Sequence, residues 1–246
     1  MKKERLNHFL VERGLVSSGE RAKALITAGR VLVNHQKIDK PGTKVDPEAR
    51  VQLIGELPYV SRGGLKLEGA LKAFGIELKG RVVMDVGAST GGFTDCVLQR
   101  EAKKVYSVDV GYGQLAWKLR KNPRVVNLER TNIRYLPREA VMEEGIDLIL
   151  IDTSFISIEK FLPHLLGFLK KGGALIALIK PQFEVGKGEV GKGGVVKDPG
   201  LHRRVIERIS AFSRELGLSV LGVVESPLSG PKGNKEFFIH LKKENA

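Results

Sequence analysis

Cysteine is all but missing: the chain has one, Cys96, in 246 residues. A lone thiol closes no intramolecular disulfide and builds no Cys-rich zinc site, so a reducing, cytoplasmic setting fits and no metal centre is expected. Long apolar runs are missing too. Those at Ile146–Ile151 and Ala174–Ile179 are of strand length and far too short to span a bilayer. The opening MKKERLNHFLVERG scatters charges among its apolar residues, so no signal-peptide core is expected. Acidic charge is in deficit, with 28 Asp+Glu against 41 Lys+Arg and a net +13. That imbalance suits a polyanionic partner, although it also fits a merely soluble basic protein. Hydrophobic residues, at 42%, suffice for a core, and the length suits one large domain or a small one plus a medium one.

The first segment reads as helix, helix, then short strands. Leu6, Phe9, Leu10 and Val11 make an apolar helical face that stops at Gly14. Ser17 and Ser18 offer an N-cap for a second helix, Glu20 to Ala28, ended by Gly29. Val31–Val33 and Val45–Leu53 read as strands around a turn-rich Asp39–Thr43, and Gly55–Pro58 as a linker. Residues 1–57 are thus expected to be a small α+β module, 58–80 a linker and the start of the next domain, and 81–246 the larger domain.

From Arg81 onward strands and helices alternate. Strands are expected at Val82–Val86, Lys104–Val110, Val125–Leu128, Ile146–Asp152, Ala174–Ile179, Leu218–Val224 and Glu236–Leu241. Helices are expected at Gly92–Glu101, Gln114–Leu119, Ile158–Leu169 and Leu201–Leu216. Such alternation implies an α/β fold with a mostly parallel sheet. Ser226–Lys235 leaves no room for a crossover helix, so the last two strands should pair antiparallel, the layout of Rossmann-like methyltransferases. The biased stretch GKGEVGKGG, Gly186–Gly194, reads as a mobile loop.

The turn after the first of these strands, Asp85-Val-Gly-Ala-Ser-Thr-Gly-Gly-Phe-Thr, joins a strand to a helix N-terminus. Gly87, Gly91 and Gly92 permit a tight turn and close approach of a ligand, with Ala88, Ser89 and Phe93 between and beside them. The spacing is neither a dinucleotide fingerprint nor a P-loop. Asp85 instead suits the charged amino-acid end of S-adenosylmethionine (SAM). Asp109, with Val110 beside it, ends the second strand where a carboxylate can accept ribose hydroxyls, and Asn132 is placed to meet an adenine edge. Each has a plain alternative: Gly91 and Gly92 as packing glycines, Asp109 as a cap before Gly111. In strand order, they favour a nucleoside-containing cofactor.

Four charged residues fall where strand ends and loops meet: Asp152, Lys180, Glu236 and, just before the sheet, Lys66. A lysine directly after a buried apolar strand has its charged form disfavoured by desolvation, so it can serve as a base toward a ribose 2′-hydroxyl. Singly, each reads better as an ordinary solvated charge at a strand end. Amino-group methylation of bases usually uses Asn/Asp-Pro-Pro-Tyr/Phe, and Asp152-Thr-Ser-Phe155 lacks both prolines. Cytosine-ring methylation needs a cysteine near that strand, but Cys96 falls in the first helix and reads as a small apolar residue. Ribose methylation is left.

Together these strings resemble the TlyA (hemolysin A) family over nearly the whole chain. They are Tyr59-Val-Ser-Arg-Gly-Gly-Leu-Lys66, the Asp85 turn, Val108-Asp-Val-Gly-Tyr-Gly-Gln-Leu, Ser154-Phe-Ile-Ser and Lys180-Pro-Gln-Phe-Glu184. The larger domain is similar to FtsJ-type ribose methyltransferases, whose active site is a Lys-Asp-Lys-Glu tetrad. Carried over by position, the tetrad is Lys66, Asp152, Lys180 and Glu236. The resemblance implies 2′-O-methylation of ribosomal RNA, with cytidines as the target and ribosomal RNA or ribosomal subunits as partners. The first module resembles the RNA-binding domain named after the fourth small-subunit ribosomal protein, and departs at Gly19, where an arginine usually follows the serine. Arg5, Ser18, Arg21, Lys23, Arg30 and Arg62 are its expected RNA-binding residues.

Three function classes compete. A ribose methyltransferase accounts for the charge, both domains and the tetrad. A catalytically idle assembly factor predicts lost site residues, and none is missing. A membrane-lytic protein needs an inserting amphipathic or apolar segment, which the sequence does not offer.

Overall fold

The computed structural model describes residues 3–55, 58–141, 145–186 and 188–244. Part of the expected linker (56–57) and one residue of the Gly-Lys loop (187) lie outside them. The chain divides into two compact units, Met1–Gly63 and Gly64–Ala246.

In the first unit, β1 (Glu4–Arg5) leads into α1 (Leu6–Glu12), and α2 (Gly19–Thr27) follows. Leu6, Phe9 and Leu10 of α1 are buried, as are Ala22, Leu25 and Ile26 of α2. Ser18 Oγ accepts a hydrogen bond from Arg21 N and so caps α2. Next come β2 (Val31–Val33), β3 (Gln36–Ile38), β4 (Lys44–Val45) and β5 (Val51–Leu53). The expected single strand Val45–Leu53 is in fact two: β4 pairs with β1, and β5 pairs with β2 in a three-stranded sheet ordered β3-β2-β5. Asp46 breaks it by accepting a hydrogen bond from Glu48 N across Pro47. The unexpected β3 returns through a tight turn at Asn34 and His35, both with positive φ.

The second unit opens with α3 (Gly63–Phe74), a helix absent from the sequence reading. Its buried face, with Leu67, Ala70 and Leu71, has helical spacing, but Gly63, Gly64 and Gly69 hide it behind turn-like composition. The elements that follow are β6 (Val82–Val86), α4 (Gly92–Gln99), β7 (Lys104–Val108), α5 (Trp117–Arg120), β8 (Val125–Leu128) and β9 (Ile146–Ile151). After them come α6 (Leu162–Leu165), β10 (Leu169–Ile179), α7 (Pro181–Glu184), α8 (Pro199–Glu215), β11 (Leu218–Glu225) and β12 (Phe237–Lys243). The helix expected over Ile158–Leu169 shrinks to a 3-10 turn and α6, because β10 starts at Leu169, ahead of a register shift before Ala174.

These strands form one seven-stranded sheet ordered β11-β12-β10-β9-β6-β7-β8. β8, β7, β6, β9 and β10 are parallel, while β12 lies between β10 and β11 and is antiparallel to both. Apart from Asp85 and Asp147 the central strands β6 and β9 are apolar, as suits a parallel sheet covered on both faces. The switch point falls at β6, whose neighbours β7 and β9 leave it in opposite directions, and a ligand crevice belongs at its carboxyl end. Among the described residues no helix is long and apolar enough to cross a membrane. Ile149, at the middle of β9 and fully buried, is an anchor of this core. Ile149→Ala should lower the unfolding free energy by about 2–5 kcal/mol, read as a reduced urea midpoint at unchanged slope.

Candidate active site

A cavity of about 410 Å³ opens at the carboxyl ends of β6, β7 and β9, lined in part by Gly87, Ser89, Asp109, Val110, Asn132 and Asp152. Its floor depends on Gly87, which follows β6 with φ 87° and approaches β9 so closely that a Cβ would sit 2.7 Å from the Asp152 carbonyl oxygen. Only glycine meets both demands. Asp109 is held from two sides, its Oδ2 accepting from Ser89 N at 2.8 Å and its Oδ1 from Gly111 N at 2.7 Å. Each oxygen retains a lone pair for a further donor. Asn132 Oδ1 accepts from Arg134 N and caps the 3-10 turn Ile133–Tyr135.

Five of the expected cofactor residues are not on the cavity wall. Ala88, Gly92 and Phe93 are buried in the turn and the start of α4, and Phe93 packs against Phe238 at 6.1 Å between ring centroids. Gly91 is a packing glycine, since a Cβ there would lie 2.3 Å from Leu119 Cδ1. Asp85 is wholly buried: its Oδ2 accepts from Thr94 N and Thr94 Oγ1 at 3.0 and 2.7 Å, and its Oδ1 has no partner. Burial pushes its carboxyl up to about 7 against the opposing pull of Thr94, with Asp152 adding a smaller upward push.

Beside the cavity stand two lysine–carboxylate pairs. Lys180, just past β10, places Nζ 2.6 Å from Asp152 Oδ1, an ion contact off the hydrogen-bonding axis, and donates to Ser154 Oγ at 3.0 Å. Lys66, on α3, donates to Glu236 Oε2 at 2.5 Å, and both side chains are buried. Gln182 of α7 donates from Nε2 to Glu236 Oε1 at 3.4 Å. A Cβ on Gly230 would fall 1.9 Å from that same Oε1, so the carboxylate occupies the space of a missing side chain. Neither Gln182 nor Gly230 was among the expected site residues; only the placement of Gln182 two positions after Lys180 hinted at a role.

Two further features shape the site. Glu184, buried at the end of α7, accepts from Ile158 N at 3.0 Å and pairs with Arg208 of α8 at 2.9 Å, which ties the segment after β9 to the segment after β10. Phe155, lining the cavity, is 88% exposed with φ 66° and rests against the Phe183 ring at 4.8 Å.

The expected RNA-binding residues lie together in the first unit. Arg5 and Lys23 are exposed, Ser18 serves as the α2 cap, Arg21 is on α2 and Arg30 just after it. Lys23 pairs with Glu20 at 2.8 Å, and Lys23 with a weaker contribution from Arg62 holds the Glu20 carboxyl below its ordinary range.

A sheet of this strand order, with a cleft at the glycine turn after β6, defines a Rossmann-like SAM-dependent methyltransferase fold. Residues 59–243 match the family described as FtsJ-like methyltransferase, and residues 4–51 match the S4 domain. A Mycobacterium tuberculosis protein named 16S/23S rRNA (cytidine-2′-O)-methyltransferase TlyA is 47% identical, covering 99% of this chain and 91% of its own. Hemolysin A of Brachyspira hyodysenteriae is 38% identical over 96% of this chain and 99% of its own. A solved Streptococcus thermophilus structure, 45% identical, covers 100% of this chain and 90% of its own with a TM-score of 0.77. The chain belongs to the TlyA (hemolysin A) family of FtsJ-like methyltransferases carrying an S4 domain.

The upward displacement of Asp85 has a consequence for stability. A carboxyl whose folded-state value is raised contributes stability that is complete below its ordinary value of 3.8 and is lost as pH rises through about 7. Asp85→Asn should therefore melt several degrees above the parent at pH 8, with the gap closing toward pH 4. Parallel melting curves at all pH values would show that burial does not displace this group. Gly230→Ala should keep the fold but displace the Glu236 carboxylate; if that carboxylate serves a reacting centre, a misplacement near 1 Å lowers turnover by about 10²-fold, which steady-state methyl transfer checks.

Proposed function

We propose that this protein transfers a methyl group from SAM to the 2′-hydroxyl of a cytidine in ribosomal RNA. The observation that bears most weight is the assembly of Lys66, Asp152, Lys180 and Glu236, from four separate segments, into two ion pairs at one end of the sheet. The names of the family's TlyA relatives support ribosomal RNA and the cytidine 2′-oxygen as the target.

The residues present fit SAM. Gly87 lets the turn after β6 close onto the backbone at Asp152 and so shapes the cavity, and Asp109 keeps acceptor capacity for two ribose hydroxyls. Val110 and Asn132 stand where an adenine would lie. Asp85 supports the turn from beneath through Thr94. When bound, SAM supplies an electrophilic methyl group on a sulfonium.

The protein's own groups then handle the hydroxyl. Lys180, in its neutral form, would accept the 2′-hydroxyl proton as that oxygen bonds to the methyl carbon and the methyl–sulfur bond breaks to leave a neutral thioether. Asp152 orients Lys180 and stabilises the ammonium once formed. Glu236 holds Lys66, whose positive charge faces the phosphate of the target nucleotide. Phe155, exposed at the cavity wall, offers a ring on which a nucleobase can stack. The S4 unit grips RNA through Arg5, Arg21, Lys23 and Arg30, joined by Arg62, with Ser18 capping the helix that carries Arg21 and Lys23. Such contacts position RNA without reading its sequence. The reaction belongs in the cytoplasm, where ribosomal RNA is made and assembled.

Methyl transfer from labelled SAM to ribosomal RNA and to assembled subunits, followed by mapping of 2′-O-methyl sites, tests this reading. Lys180→Ala should abolish transfer while leaving SAM affinity nearly unchanged. Retained turnover in that variant would sink the assignment of Lys180, a base methyl would overturn the tetrad, and no incorporation on any substrate would favour a non-catalytic binding factor.

A further inference from the structure

The Gly-Lys stretch after α7 has no part in the reaction above, yet the structure ties it to the segment that leads into Glu236. Gly191 N donates to Val195 O, and Gly194 N donates to Gly191 O, which closes the loop on itself. Gly193 and Gly194 both have φ 82°, so the loop presents bare backbone on an exposed surface. The segment before β12 packs beside it. Lys232 Nζ donates to Gly193 O at 2.7 Å.

Asn234 fastens the two segments together. It is 3% exposed; its Oδ1 accepts from Val196 N at 3.0 Å, and its Nδ2 donates to Gly194 O at 2.9 Å and Pro231 O at 3.1 Å. Two residues further on is Glu236. The acids of this surface are already engaged: Glu189 with Arg204, Asp198 as the cap of α8, and Glu225 with Lys235 at 3.0 Å. Lys192 and Lys197 are exposed and have no carboxylate partner among the described residues.

We propose that the segments over 188–197 and 231–235 form a single lip that grips the RNA phosphate backbone next to the reacting nucleotide, fastened by Asn234 to the strand that follows Glu236. This rests on the reading of the site as an RNA methyltransferase and adds the surface on the catalytic unit that holds the substrate. Exposed cations beside bare glycine backbone suit a phosphodiester chain, because glycine allows close approach and lysine supplies undirected charge. Fixing the lip to the Glu236 segment means that a strand held there is also held in register with the Lys66–Glu236 pair.

Filter retention of labelled 23S rRNA transcript by the full-length protein, over a series of KCl concentrations, tests the lip without requiring turnover. In the variant Lys192→Ala, Lys197→Ala, Lys232→Ala, the plot of log affinity against log salt should be shallower by about 2 to 3, one contact being worth about 0.7–0.9. Unchanged slope and affinity in that variant, with melting near the parent, would overturn the proposal. Asn234→Ala leaves every cation in place and should also weaken binding; parental affinity there would overturn the fastening role. If Asn234→Ala does not fold, the lysine variant decides alone. Failure of the parent to methylate any RNA is a separate result, which counts against the proposed reaction and not against a measured salt slope.

Discussion

A lysine ammonium cannot leave water without an anion beside it, and that constraint organises the catalytic unit. Lys66 and Lys180 are only 6% and 8% exposed. Removing such a charge from solvent costs several kcal/mol, which a contacting carboxylate offsets at best. Apolar side chains of the same volume would serve the fold as well or better. Two such pairs at one end of a sheet are therefore evidence of chemistry rather than of stability.

Sheet topology makes the pairs meet. β9 and β10 are parallel neighbours, so Asp152 and Lys180 emerge side by side at their carboxyl ends. β12 runs the other way and pairs directly with β10, which brings the residue before it, Glu236, to the level of the residues after β10. Gln182 hydrogen-bonds Glu236, and Glu184 holds the two loop segments together. A β12 at the sheet edge, following its order in the chain, would leave Glu236 one strand away from Gln182.

Much of the larger unit was legible because buried parallel strands are continuous runs of apolar residues. Val82–Val86 and Val125–Leu128 have the expected bounds although Asp85 and Asn127 interrupt the pattern. Helix α3 was not legible, because three glycines over a short length resemble a turn until Leu67, Ala70 and Leu71 are seen buried on one face. Val45–Leu53 misled in the opposite sense, since its two ends belong to different sheets. In the site, Gly87, Ser89, Asp109 and Asn132 were marked by their places after strands and do line the cavity. Gly230, Gln182 and Asn234 carried no comparable mark, because the groups that give them meaning lie 6, 54 and 38 residues away.

The sequence by itself determined the alternation of strands and helices, the excess of positive charge, and the residue types standing at each strand end. These are local properties, set by side-chain periodicity and by the backbone freedom of particular glycines. Only the tertiary structure decided which lysine belongs to which carboxylate, that Asp85 lies beneath the cavity instead of on its wall, and that the Gly-Lys loop is fastened beside Glu236. Burial and pairing depend on what the folded chain brings within a few ångströms, and Lys66 finds its partner 170 residues further along.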